Sequence, residues 1–316
     1  MTKASPDIEF TLLENGLDFI WSAVEHLGTD SSKRSLKYAV LDLAAGVELI
    51  LKERLRRESW KLVFADPEKA DEHAYKRGSF KSVGLESTIE RLESACDVEF
   101  EESARRRLTA IRDKRNRIQH FNMIDSASAI IATTAKALEV VVDFIREELS
   151  DDKLTESEDE LLKRVRTKLG DLEKFVSVHE KSIQPKLKTA YAVLPCPSCQ
   201  HEALTVDDGV ECLFCGYKAE GKEAASDYAT DVLGVTWREL KDGADWPIGT
   251  CPACDWEACV ETAADGRDRY LCFNCGSRWT MGKLHECARC GRWIDSDKND
   301  SGMCDACIAE QLRRND

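Results

Sequence analysis

Twelve of the fourteen cysteines stand as six C-x-x-C pairs, and all six lie between Cys196 and Cys307. They are Cys196/Cys199, Cys212/Cys215, Cys251/Cys254, Cys272/Cys275, Cys287/Cys290 and Cys304/Cys307. Two intervening residues let both sulfurs of a tight turn point at one tetrahedral ion, and two such turns complete a four-sulfur shell, the usual structural zinc site. Pairing neighbours gives three modules with 12, 17 and 13 residues between pairs. Each gap suits a hairpin that returns the second turn to the first. Gly216, Gly276 and Gly291 each follow directly on a C-x-x-C pair, where the turn needs a residue tolerant of positive φ.

These modules resemble zinc ribbons, with CPSC, CLFCG, CPAC and CFNCG as knuckles. Three structural zinc ions are expected, with no open coordination position for catalysis. Disulfides and an iron–sulfur cluster are the alternatives; repeated paired turns favour zinc. His201 and His285 lie near ligand turns, but every module already has four cysteines. Cys96 and Cys259 are left over and read as small apolar residues. Ribbon 1 is expected over residues 191–221, ribbon 2 over 247–283 and ribbon 3 over 284–316. A helical linker fills 222–246, with a short helix from Ala224 to Leu233.

Residues 1–185 show helical period almost throughout. Leu36, Val40, Leu43, Val47 and Ile50 form one stripe, Leu138, Val141, Ile145 and Leu149 a second, and Leu162, Val165, Leu169, Leu172 and Val176 a third. Phe10, Leu13, Leu17, Ile20 and Val24 mark the first helix. The spacing predicts helices over 7–27, 31–57, 85–96, 101–121, 126–150 and 156–182, with an irregular insertion between Arg57 and Gly84. Asp30, Ser31 and Ser32 are cap candidates for the second helix, and Asp125 and Ser126 for the fifth. The fold class is mainly α: a helical bundle followed by small β-hairpin zinc modules.

The helix expected at 101–121 carries the unusual chemistry. Arg105, Arg106, Arg107, Arg112, Lys114, Arg115 and Arg117 face a single acid, Asp113, in a chain whose net charge is −14. The apolar stripe Leu108, Ile111, Ile118 places position 115 toward the core, yet it is arginine. A buried arginine is expensive unless paired or at an interface. His120 closes the helix.

Arg115-Asn116-Arg117-Ile118-Gln119-His120 reads R-N-x3-H, and here the chain resembles the HEPN superfamily, whose nuclease members carry R-x4–6-H on a late helix of a small bundle. The run from Ala45 to Lys52, with Glu48 before Leu49-Ile50-Leu51, is similar to the second-helix signature of that family. The resemblance covers roughly residues 1–150. Where some members place a tyrosine two residues after the histidine, this chain has Asn122.

The resemblance implies a metal-independent endoribonuclease, acting as a toxin or antiviral effector on RNA. His120 would move protons, Arg115 would hold phosphate oxygens, and Asn116 would orient His120. Arg105, Arg106, Arg107, Arg112, Lys114 and Arg117 would bind RNA, with Glu48 and Lys52 as support. Five helical steps turn about 500°, leaving Arg115 and His120 some 140° apart, so one helix makes a poor site alone. A homodimer through the HEPN domain is implied. The rival reading is a non-catalytic adaptor or nucleotide-binding interaction protein.

Residues 191–316 hold 13 Lys/Arg against 23 Asp/Glu. Such a charge opposes phosphate binding and suits sensing or a protein partner. Trp237, Trp246, Trp256, Trp279 and Trp293 are either base-stacking platforms or covers for small cores. The most apolar stretch, Ala127 to Phe144, is interrupted by Lys136, Glu139 and Asp143, and MTKASPDIEF has no signal-peptide core. A cytoplasmic protein without membrane contact is expected.

Overall fold

The computed structural model describes residues 10–28, 32–122, 124–149, 154–207, 209–243, 245–262, 270–280 and 282–315. The chain divides into two compact units, Met1–Val178 and His179–Asp316. The six expected helices are present as α1 Leu12–Gly28, α2 Lys33–Glu58, α4 Leu85–Cys96, α5 Glu102–His120, α6 Ala127–Phe144 with a π turn Ile145–Leu149, and α7 Glu156–Leu187, and the stretch expected to be irregular holds a short further helix, α3 Glu72–Lys76. The unit boundary falls inside α7, ahead of the expected domain limit at residue 185.

In the first unit α2 is central. Leu36, Val40, Leu43, Val47 and Ile50 are all buried, and α1 answers with Leu13, Leu17, Ile20 and Val24, while Phe10 stays exposed. The two helices approach closely at Gly46, where a Cβ would meet Ile20 Cγ1 at 2.7 Å and the Gly16 carbonyl oxygen at 2.9 Å. Ser32 caps α2 by accepting from the Ser35 amide; Asp30 and Ser31 lie outside the described residues. Ser126, not Asp125, caps α6, accepting from the Ala129 amide at 3.1 Å.

The insertion between α2 and α4 is ordered by aromatic packing. Phe64 stacks on Phe80 with centroids 4.1 Å apart, and Trp60 and Tyr75 close the cluster at 5.3 Å. Arg91 of α4 donates to the carbonyls of Leu62, Phe64 and Ala65, satisfying backbone that has no regular partner. A single antiparallel bridge joins Phe64 to Ser82.

The second unit holds two four-stranded antiparallel sheets and one hairpin. The first sheet is β1 Val193–Pro195, β2 Glu202–Val206, β3 Val210–Cys212 and β4 Lys218–Ala219. The second repeats it as β5 Ile248–Thr250, β6 Glu257–Glu261, β7 Tyr270–Cys272 and β8 Arg278–Trp279. Between them lie α8 Gly221–Asp231 and the short α9 Trp237–Lys241. α8 presents Ala224, Ala225, Tyr228 and Ala229 inward, and Tyr228 packs on Phe273 at 5.3 Å. The end of α7 covers the first ribbon: His179 Nε2 lies 2.8 Å from the Phe214 carbonyl, Ile183 is buried, and His201 stacks on Phe214 at 3.8 Å. Those contacts explain why the boundary precedes residue 185.

The third module brings its four cysteines together as expected but is built differently from the other two. It has one hairpin, β9 Leu284–Glu286 with β10 Trp293–Asp295, and then a helix, α10 Asp305–Asn315. Cys304 and Cys307 sit at the start of that helix rather than in a second knuckle, with the Ile308 amide donating to the Cys304 carbonyl. Ile308 follows Cys307, and a β-branched residue disfavours the positive φ that the knuckles use. Two of the five tryptophans considered as platforms are also core: Trp279 is buried, and Trp293 lies against Gly249, where a Cβ would stand 2.5 Å from the ring. Among the described residues, no helix is long and apolar enough to cross a membrane.

Glu53 offers a test of the first unit. It is buried and gripped by Arg56 at 2.6 and 2.8 Å and by Arg57 at 3.0 Å. Burial pushes its pKa up, but the two guanidinium groups outweigh this and hold it below the ordinary value. The stabilisation is therefore present above the unfolded pKa and is lost as pH falls through the folded one. Urea denaturation of Glu53→Gln at pH 7 should show a loss of about 1–3 kcal/mol. The deficit relative to wild type should shrink as the wild-type carboxyl protonates. A constant deficit across that acid range would contradict the pairing.

Candidate functional site

Three groups of four cysteines assemble as the sequence pairs them: Cys196, Cys199, Cys212 and Cys215; Cys251, Cys254, Cys272 and Cys275; Cys287, Cys290, Cys304 and Cys307. Within each group the sulfurs lie within 4.8 Å of one another. Tetrahedral zinc with bonds of about 2.3 Å requires sulfurs about 3.8 Å apart. The distances are 3.8 Å for Cys196–Cys215, 3.7 Å for Cys199–Cys212, and 3.7 Å for Cys251–Cys275, Cys254–Cys272 and Cys290–Cys304. The donor sets fit three zinc ions.

Five of the six turns share one build. The first cysteine's amide bonds the carbonyl five residues on, as in Cys196 to His201, Cys212 to Tyr217, Cys251 to Trp256, Cys272 to Ser277 and Cys287 to Arg292. The residue after the pair takes positive φ: Gly216, Gly276 and Gly291, but also Gln200 at 62° and Asp255 at 60°. Amides also face the sulfurs. Backbone N–H groups of Cys304, Arg289 and Cys290 hold the Cys287 thiol down at about 6, whereas its neighbours Cys304 and Cys290 push Cys307 up to about 12. Four adjacent thiols cannot all ionise without a cation, and the bound dication would supply it.

His201 and His285 are not in the metal groups. His201 Nε2 lies 3.1 Å from Glu180, and His285 Nδ1 lies 3.0 Å from Ser296 Oγ. Cys96 and Cys259 are buried outside the clusters, as expected of small apolar residues.

The R-N-x3-H segment lies on α5, which is helical through His120. Arg115 is half-buried and lines a small recess with Arg112 from the same helix, Glu48, Ala44 and Val47 from α2, and Leu85 and Ile111. Glu48 pairs with Lys52, whose ammonium is buried (6% exposed) and also donates to Ser82 Oγ at 2.9 Å. Thus the insertion, α2 and α5 converge on one cluster. His120 is exposed and does not line the recess. The regular helix keeps it about 140° round from Arg115.

Two expectations about this helix need correcting. Asn116 does not orient His120 in this arrangement; its Oδ1 accepts from Arg115 at 2.9 Å. Lys114 is not a surface contact for RNA. It is 4% exposed and bonds Asp125 at 2.9 Å. Other members of the basic run are also paired: Arg105 with Glu93, Arg107 with Glu139 at 2.9 Å, and Arg112 with Asp113 at 2.9 Å. Arg106 is half-buried and Arg117 is exposed.

With this geometry in view the chain was compared with protein-family models, curated proteins and solved structures. None of them matches.

Elemental analysis of the purified protein should find three zinc ions per chain, and Cys304→Ser should find two. Iron, or one zinc or none in the wild type, would contradict the assignment. Chelation should unfold the modules and spare the helical unit, because cores this small depend on metal.

Proposed function

We propose that the chain is a HEPN-type endoribonuclease that works without a catalytic metal, as a toxin or antiviral effector, and that its zinc modules recognise a protein partner. The observation that supports this most is the recess in which Glu48 of α2 and Arg115 of α5 meet, with Lys52 buried behind Glu48. Arg115 at the edge of that recess carries a planar donor fork of the kind that holds phosphate oxygens.

In the proposed reaction the 2′-hydroxyl attacks its neighbouring phosphorus. The P–O5′ bond breaks, leaving a 2′,3′-cyclic phosphate and a 5′-hydroxyl. His120 takes the 2′-hydroxyl proton or supplies one to the leaving oxygen. Arg115 stabilises charge on the phosphorane. Glu48 and Lys52 fix the electrostatics of the recess. Since one α5 keeps Arg115 and His120 apart, two copies packed about a twofold axis would complete the site.

The zinc-module segment, residues 191–316, carries −10 from its side chains, and three zinc tetrathiolate centres take that to about −16. That charge is suited to a protein with basic groups rather than to RNA. A non-catalytic adaptor is the second reading, and the ion pairs of Arg105, Arg107, Arg112 and Lys114 favour it, because they withdraw positive charge from the surface.

Arg115→Ala and His120→Ala should each lower RNA cleavage by about a hundredfold or more. Mixing the two inactive variants should restore part of the activity if protomers share sites. Expression of the wild type should arrest growth, and His120→Ala should relieve the arrest. Full cleavage by both folded variants would refute these roles, and a wild type that cleaves no RNA would leave the adaptor.

A further inference from the structure

The end of α5 carries a feature that neither the fold nor the proton chemistry uses. Phe121 directly follows His120 and is 81% exposed; Ile124, three residues on, is 89% exposed. They are the two most exposed large apolar side chains among the described residues. Scattered exposed apolar residues need no explanation, but a pair at the end of the motif helix does. The Phe121 backbone is fixed: its amide donates to the Arg117 carbonyl at 2.9 Å, and its φ of −150° and ψ of −159° turn the chain out of the helix. The residues just before it, Arg117, Gln119 and His120, are exposed and polar. An aromatic ring set beside cationic and imidazole side chains is complementary to a nucleotide, whose base is flat and uncharged and whose phosphate is anionic.

We propose that Phe121 is a base-stacking residue, taking the face of a nucleobase next to the phosphate handled by His120. This rests on the nuclease reading above. Stacking accepts any base, so Phe121 would place the strand without reading its sequence, and purines, with the larger rings, would bind better than pyrimidines.

The test uses the full chain and a short mixed-sequence 2′-O-methyl RNA, which lacks the attacking hydroxyl and is not cleaved. Phe121→Ala should weaken binding about 5- to 100-fold, and Phe121→Trp should retain it. The new tryptophan should be quenched by RNA beyond any change seen in the wild type. Unchanged affinity in Phe121→Ala, with the wild type binding RNA, would overturn the stacking role and leave the nuclease reading intact. Conversion of a dimer to a monomer by Phe121→Ala, seen by sedimentation, would assign the ring to a protein interface and overturn it equally. A wild type that binds no RNA would overturn both readings together.

Discussion

Burying charge sets the terms for the helical unit. A charged side chain taken out of water costs several kcal/mol unless its counter-charge is already in place. Among the described residues the bundle does this with Lys52 against Glu48, Glu53 between Arg56 and Arg57, and Lys114 against Asp125. Each pair ties a helix to itself or to the segment that follows. With Lys114 turned inward to Asp125, Arg115 falls at the edge of the core beside Glu48 rather than within it.

The zinc modules obey the same rule with a different cation. Four sulfurs at tetrahedral spacing are stable as thiolates only around a dication, and the amides of the knuckles lower part of that cost beforehand. The metal groups hold the local turns, while aromatic and helical contacts join the modules. Trp293 fills the space above Gly249, Tyr270 meets Trp293 edge-on at 5.0 Å, and Arg292 reaches Asp255 at 2.8 Å. Arg278 lies over Tyr191 at 3.2 Å and so links the second sheet to the start of the first.

Much of this was legible in residue spacing. Period fixes the helices because each buries one stripe, and C-x-x-C fixes the metal groups because geometry leaves few alternatives. Elsewhere the signal was ambiguous or long-range. From Ile111 the stripe can step by three or four, to Lys114 or Arg115, and only the partner decides. That partner, Asp125, looks in sequence like a helix cap. Asn116 has two neighbours within reach, and period does not choose between them. Ser82 lies 30 positions from Lys52, and nothing local announces that hydrogen bond.

The account turns on whether the Arg115 recess and His120 together cut RNA. Sequencing of RNA 5′-hydroxyl ends after brief expression of wild type and His120→Ala, at matched protein levels, addresses that directly. The account predicts new 5′-hydroxyl ends in the wild type that are missing from the variant. The same end profile in both would contradict it.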